Sequence, residues 1–386
     1  MKKIFKIFGL VFSFLFVFGT FSPSISAEQA STSLSAQSAL LMEADSGTVI
    51  FEKNAHTRLP MASTTKIMTA LVALELAAPD TIISVDKRAV GIEGSSIYLC
   101  EGEELTLEEL LYALMLESAN DAAAAIAIGL CGSEESFVDA MNQKATSLGL
   151  SNTHFSNPHG LDAESHYTTA YELAIIAKEA LRNPLLKTIV STRKTTISHQ
   201  NADGVRLLVN HNKMLRQYEG CIGVKTGYTK KSGRCLVSAA EKDGVAMIAV
   251  TINSPDDWND HTKLLDYGFA NYQSILLCPD DYQFCLPLVG GKESYVMLGV
   301  EQEVSVTLPV GIGVIEQAIE CSRYAFAPIL AGDTCGRMLF YCDTNQDGIK
   351  EIIKEVPLIA QYDAPKYSSR LSLWQRLLLW WRGLFS

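Results

Sequence analysis

Two residues in Met61-Ala-Ser-Thr-Thr-Lys-Ile67 have the types and spacing for covalent catalysis. A serine hydroxyl is a weak nucleophile at neutral pH and needs a base beside it. Residues three apart on a helix share a face, so a helix beginning near Ser63 brings the Lys66 amine within reach of the Ser63 hydroxyl. A lysine held away from water gives up its proton more readily and can then serve as that base. The helix is predicted by Pro60 ahead of it, by Ile67, Met68, Leu71 and Leu74 at helical spacing, and by Pro79 beyond it. S-x-x-K alone is a weak signal. Two further stretches raise its weight: Ser118-Ala-Asn120 begins 55 residues after Ser63, and Lys225-Thr-Gly227 begins 105 residues after Asn120.

The elements that must hold these residues are readable in outline. Residues 39–51 read as a β-hairpin about the turn Asp45-Ser-Gly47. A helix-rich stretch runs from Leu105 to Arg182. Thr106 and Glu109 form a capping box for a helix that leads into Ser118, which places the second motif in the turn at its end. Further helices are predicted from Asp121, from Ser133 to Gly149, and from Thr169, the last ended by Pro184. From Lys194 the pattern changes to strands: Thr195–Ser198 and Val205–Val209 about a turn at 201–204, then Ile222–Thr226 carrying Lys225-Thr-Gly227, Cys235–Ala240 and Val245–Ile252. A helix over Asn259–Tyr272 completes an α+β layered domain, an antiparallel sheet flanked by helices with a helical insert. The segment 276–362 reads as a small β-sandwich, with Val304–Leu308, Met338–Tyr341 and Glu355–Ile359 as strands. The expected division is a signal peptide over 1–27, a flexible lead-in over 28–38, a catalytic domain over 39–275, the β-rich domain over 276–362, a linker over 363–370 and an amphipathic helix over 371–386.

Both ends speak of the cell envelope. Lys2, Lys3 and Lys6 precede the apolar run Phe8–Phe21 and small residues suited to cleavage, the pattern of a secretory signal. In the last segment Leu373, Trp374, Leu377, Leu378, Trp381, Leu384 and Phe385 share one helical face. That face is too short to span a bilayer and suits a helix lying in the membrane interface. The formal charge of −11 falls to −14 without the first 27 residues and their three lysines. Such an acidic chain is a poor partner for nucleic acid. Nine cysteines form no C-x-x-C pair, and buried free thiols or a disulfide or two in the C-terminal third both fit. His154, His159 and His166 match no metal-ligand spacing, and Asp343–Gly348 has Lys354 where a calcium loop needs glutamate, so no metal or cofactor is expected.

S-x-x-K, S-x-N and K-T-G in this order form the motif set of penicillin-binding proteins and serine β-lactamases. With Arg58–Ala70, Glu117–Ala123, Asn157-Pro-His-Gly-Leu-Asp162, Asn210-His-Asn212 and Gly223–Thr229, the chain resembles the serine-type D-alanyl-D-alanine carboxypeptidases, the low-molecular-mass penicillin-binding proteins, from about Ala39 to its C-terminus. The resemblance implies a β-lactamase/transpeptidase-like fold. It implies removal of the terminal D-alanine from peptidoglycan stem peptides ending in D-Ala-D-Ala, at the outer face of the cytoplasmic membrane, with β-lactam antibiotics as acylating inhibitors. It also implies roles. Ser63 is the nucleophile, Lys66 its base and Ser118 the proton relay to the leaving D-alanine. Asn120 holds Lys66 and the substrate amide, Lys225 supplies positive potential, and Thr226, beside Gly227, contacts the substrate carboxylate. The backbone N–H groups of Ser63 and Tyr228 form the oxyanion hole.

The chain departs from the family at Asp256-Asp-Trp-Asn259, where many members carry a basic residue that contacts the carboxylate. A serine β-lactamase is the alternative enzyme, and a penicillin sensor or wall-docking module the non-catalytic one. The β-rich domain and C-terminal helix favour the carboxypeptidase, and intact Ser63, Lys66 and Ser118 speak against a purely binding role.

Overall fold

The computed structural model describes residues 34–199, 204–344, 348–367 and 374. The expected signal segment, most of the lead-in, residues 200–203 and 345–347, the end of the linker and the expected C-terminal helix apart from Trp374 lie outside them. Among the described residues no helix is long and apolar enough to cross a membrane.

A five-stranded antiparallel sheet is the backbone of the fold. Its order from one edge to the other is Val49–Lys53, Ser38–Glu43, Val245–Ile252, Gly233–Lys242 and Cys221–Thr229. The first hairpin therefore pairs with the last strand of this sheet, Leu40 opposite Val250, and the chain between them is an insert. The strand carrying Lys225-Thr-Gly227 is left at an edge, where one side of its backbone is open to another chain. The two faces bury different clusters. Val224, Val237, Ile248 and Val250 pack with the helices of the insert, while Leu236, Ala240, Met247 and Ala249 pack with the helix Asp257–Asn271 through Leu264 and Leu265. The result is helix, sheet and helix in three layers.

The insert is ordered around one helix. Asn120–Cys131 holds the run Ala122–Ala125 and is buried on every side through Ile128. A helix apolar all round belongs in an interior, and small side chains let its neighbours approach closely. The capping box at Thr106 and Glu109 is present, but the helix it starts is short. Leu107–Tyr112 widens into a π-helical turn over Ala113–Glu117 and ends at Ser118, whose φ is +61°. Ser133 and Thr169 cap Glu134–Ser147 and Ala170–Leu181 as their sequence predicts. Pro184 does more than end a helix. It opens a further one, Pro184–Ser191, which the sequence pattern hides because a proline that ends one helix equally suits the first position of the next. Asn183 caps it by accepting from Leu185 N (3.0 Å) and Leu186 N (3.2 Å).

The C-terminal part is richer in strands than the sequence patterns suggested. Tyr272–Cys278, Gln283–Val289, Tyr295–Gly299, Glu316–Cys321 and Ala325–Phe326 join the three expected strands. Tyr272–Cys278 pairs with Val304–Pro309, and the other six strands form a second sheet. Both contribute to one core through Cys278, Leu286, Val296, Leu298, Phe340 and Leu358. Glu316–Cys321 alternates weakly because it carries polar residues on both faces, whereas Gln283–Val289 does alternate, with Phe284, Leu286 and Leu288 turned inward. All nine cysteines are free thiols, but only Cys235, Cys278 and Cys342 are buried, and Cys100 and Cys285 are exposed.

Candidate active site

The nucleophile stretch begins as a tight turn rather than as the regular α-helix its spacing predicts. Ala62–Thr65 form a 3-10 turn, and the α-helix runs Lys66–Leu76. Ala62 has φ +48°, a conformation that a residue with a side chain adopts at a cost of about 1–3 kcal/mol. The turn is secured at both shoulders. Thr64 Oγ1 donates to Met61 O (2.6 Å) and Thr65 Oγ1 donates to Ala62 O (2.7 Å). Ser156 N donates to His166 Nδ1 (3.0 Å), so neutral His166 carries its proton on Nε2, which donates to Thr65 Oγ1 at 2.7 Å.

Lys66 is completely buried and makes three contacts. Its Nζ lies 2.7 Å from Asn120 Oδ1, against the backbone carbonyl of His159, and 3.1 Å from Ser63 Oγ. Two of these partners can only accept, and the third carries a proton. A neutral amine has two N–H groups and one lone pair, so it satisfies all three with the lone pair facing Ser63. Electrostatics favour that state. Burial first, then the Lys225 charge, hold Lys66 well below the usual lysine range, against the opposing pull of Asp121. Asn120 is itself fixed, its Nδ2 donating to Glu93 O (2.5 Å) and its N to Ser95 O (2.7 Å).

The edge strand closes the other side. A side chain at Gly227 would bring its Cβ 3.0 Å from Ser63 N and 3.1 Å from Thr64 N, so the strand backbone runs directly past the nucleophile turn. Lys225 is buried, and burial lowers its pKa to about 7. Its Nζ donates to Thr226 O (3.0 Å). Thr226 is half-buried beside Gly227, and Tyr228 follows with its side chain 66% exposed. Ser118 is buried and stands two residues before Asn120. The structure thus brings Ser63, Lys66 and Asn120 into direct contact, with Gly227 beside the nucleophile turn and Lys225 near enough for its charge to act on Lys66.

Comparison with known proteins bears on this cluster. The family described as D-alanyl-D-alanine carboxypeptidase, peptidase S11, matches residues 24–256. The chain is 36% identical over 363 residues to the D-alanyl-D-alanine carboxypeptidase DacF of Bacillus subtilis, covering 90% of this chain and 92% of that protein. The chain belongs to the D-alanyl-D-alanine carboxypeptidase family. It is also 32% identical over 320 residues to DacC of Escherichia coli, covering 78% of each. Among solved structures, penicillin binding protein 5 from Haemophilus influenzae matches with a TM-score of 0.67 at 25% identity, over 90% of this chain and 100% of that one. The fold of this family member is therefore that of the penicillin-binding proteins.

The sequence of this carboxypeptidase-family chain did not reveal the residues that hold the cluster from behind. The loop 157–160 is one of them, although Asn157-Pro-His-Gly-Leu-Asp162 stood out as a family-like stretch without a role. Asn157 Oδ1 accepts from Gly160 N (2.7 Å), and Thr69 Oγ1 on the nucleophile helix donates to Pro158 O (2.6 Å). This sets the His159 carbonyl onto Lys66. Gly160 has φ +92°, and a Cβ there would lie 2.0 Å from Ala62 O and 2.9 Å from Ser63 N. Gly160→Ala is therefore expected to cost roughly 2–4 kcal/mol from backbone strain and overpacking together. A thermal melt reads that loss, and penicillin acylation read on the fraction still folded should slow as the turn shifts. Asp121 is a second missed support. Its carboxylate accepts from Ser96 Oγ (2.6 Å) and Leu99 N (3.0 Å) and so anchors the loop that carries Glu93 and Ser95.

Of the three histidines in this region, His159 and His166 are buried and His154 is exposed. Burial lowers His159 to about 3, with the Lys66 and His166 charges adding to it, and the Glu134 carboxylate 3.6 Å from its Nε2 is outweighed. Burial likewise lowers His166 to about 4 and His261 to about 3. The unfolded chain binds protons at these sites below about 6.5 while the folded chain does not. Stability is therefore expected to fall with acidification from pH 6.5 toward 4, by roughly 1.4 kcal/mol per pH unit for each histidine. Urea melts across that window check it, and a flat profile would show that these rings are protonated in the fold.

Proposed function

We propose that this protein is a serine D-Ala-D-Ala carboxypeptidase that removes the terminal D-alanine from peptidoglycan stem peptides through an acyl-enzyme on Ser63, and that β-lactams acylate the same serine. The observation that carries this reading is the buried Lys66 amine, held by two carbonyl acceptors with its nitrogen 3.1 Å from Ser63 Oγ. Ser63 attacks the carbonyl of the scissile D-Ala-D-Ala bond as Lys66 takes its proton. The tetrahedral oxyanion is received by the Ser63 and Tyr228 N–H groups, where one donor is worth about 3 kcal/mol. Lys66 returns that proton through the Ser118 hydroxyl to the nitrogen of the departing D-alanine, which leaves Lys66 neutral again. Thr226, with the Lys225 charge behind it, faces the terminal carboxylate. Water then attacks the acyl-enzyme and restores the serine.

Residues 39–275 form the catalytic unit in this reading, and 276–362 a β-rich unit beside it. The enzyme acts outside the cytoplasmic membrane, exported by residues 1–27 and held at the membrane surface by 371–386.

The rival reading, a β-lactamase, needs a carboxylate that activates the deacylating water. Glu179-Ala-Leu-Arg-Asn183 has the E-x-x-x-N spacing used for this purpose. However, Glu179 accepts from Arg182 (2.8 Å) and faces Lys144 (3.8 Å), while Asn183 caps a helix. Neither contacts Lys66 or Ser63, which favours the carboxypeptidase. Intact mass of the full chain with excess benzylpenicillin, followed over minutes, separates the two. A lasting single adduct together with D-alanine release from a D-Ala-D-Ala peptide supports the proposal. Consumption of the antibiotic with no adduct makes the protein a β-lactamase.

A further inference from the structure

A substrate ending in a free carboxylate brings a negative charge to the open edge of the Cys221–Thr229 strand, and the groups so far placed there answer it incompletely. Thr226 offers a neutral hydroxyl. Lys225 is buried, turned onto Thr226 O, and only partly protonated at neutral pH. A permanent cation stands on the neighbouring strand. Arg234 pairs with Tyr228 across the sheet, and Thr226 pairs with Leu236. Arg234 is thus on the same face as Thr226 and diagonal to it, a separation of about 7–8 Å between backbone positions that a long side chain spans.

The Arg234 side chain is built in rather than loose. Its Nε donates to Asp257 Oδ1 (2.9 Å), and its Nη2 lies 2.8 Å from the same oxygen. Its guanidinium carbon lies 5.6 Å from the centre of the Trp258 ring. Asp257 is buried, at the first turn of the helix Asp257–Asn271, and also accepts from Trp258 N (3.0 Å). Arg234 itself keeps 42% of its side chain exposed. A guanidinium has five N–H groups in a planar fork, and holding one edge with an acid leaves the other aimed for a second carboxylate. Asp257 occupies the stretch that departs from the family pattern, and the structure shows its carboxylate orienting an arginine.

We propose that Arg234 binds the terminal carboxylate of the substrate together with Thr226, with Asp257 and Trp258 as its positioning residues. This rests on the carboxypeptidase reading above and names the cation that selects a free C-terminus.

The test compares the full-length wild type with Arg234→Ala and Arg234→Lys on two peptides, one ending in D-Ala-D-Ala and one in D-Ala-D-alaninamide, and on benzylpenicillin and its methyl ester. Wild type should prefer the free acids. Loss of one charge-assisted contact should lower kcat/KM on the acid peptide by about 10- to 100-fold in Arg234→Ala. The acid-to-amide ratio should collapse with it, and Arg234→Lys should retain part of the preference. An unchanged ratio, whether or not both rates fall, would overturn the proposal and leave Arg234 as a tie between sheet and helix. A wild type that cleaves neither peptide but is acylated by benzylpenicillin defeats the carboxypeptidase reading alone, and the penicillin-to-ester ratio then decides on Arg234. A wild type that reacts with none of the four defeats both.

Discussion

A Ser63→Ala chain is expected to take up no benzylpenicillin and to release D-alanine at a rate lower by roughly 10⁶-fold, the scale of loss when a serine hydrolase loses its nucleophile. The size of the effect follows from the site's construction. The two donors assigned to the oxyanion are backbone N–H groups and survive the substitution, so substrate binding persists while the covalent step vanishes. The fold should also survive. Ser63 is only half-buried, and its Oγ contacts Lys66 rather than the core. Removing the hydroxyl leaves Lys66 with its Asn120 and His159 partners. Intact mass and a thermal melt on the same sample are the measurements. An adduct on the alanine protein would move the nucleophile to another residue.

Lys66→Arg is the second prediction, and it separates a base from a charge. Arginine puts a permanent cation at this position and has no lone pair to offer at any accessible pH. If Lys66 acts as the base, the acylation rate constant should drop by roughly 10²- to 10⁴-fold. The wild type should also show an acid limb that the variant lacks. The sign follows from the depressed pKa. Falling pH protonates Lys66, its third N–H then occupies the position of the lone pair, and the Ser63 proton has nowhere to go. Raising pH restores the base. On the alkaline side Lys225, at about 7, loses its charge and holds the anionic substrate less well, so kcat/KM should pass through a maximum. Fluorescent-penicillin acylation from pH 5 to 10 gives both limbs. Full activity in the arginine protein would mean that the proton leaves Ser63 by another route, with Ser118 the next residue to test.

The physical logic of the site is that two lysines are buried beside one serine. Burying either charge is unfavourable, and each raises the difficulty of charging the other. The chain accommodates them with fixed acceptors: Asn120 Oδ1 and the His159 carbonyl for Lys66, and the Thr226 carbonyl for Lys225. Each acceptor belongs to a segment braced elsewhere. Asn120 heads an alanine-rich helix sealed in the core, and His159 sits in a loop pinned by Asn157 and Thr69. The edge strand is paired to the sheet over Cys221–Thr229.

Much of this was legible along the chain because it is local chemistry. Ser63 and Lys66 are three residues apart, the helix caps at Thr106, Ser133 and Thr169 are short-range hydrogen bonds, and the central strands carry runs of apolar residues. The order of three short motifs pointed to Ser118, Asn120, Lys225 and Thr226, of which Asn120 touches Lys66 directly. The tertiary structure alone decided what surrounds them. The His159 carbonyl, Gly160 and His166 meet the nucleophile turn from about a hundred residues away, as backbone or packing partners with no side-chain signature in the sequence. The aspartate at Asp257 looked like a missing cation, because the pattern of one segment cannot show that its acid holds an arginine on a different strand. Residue types and short spacings determined which atoms can react in this protein. Contacts between distant segments decided which of them are neutral, which are aimed and which face the substrate, since burial and orientation exist only once those segments pack together.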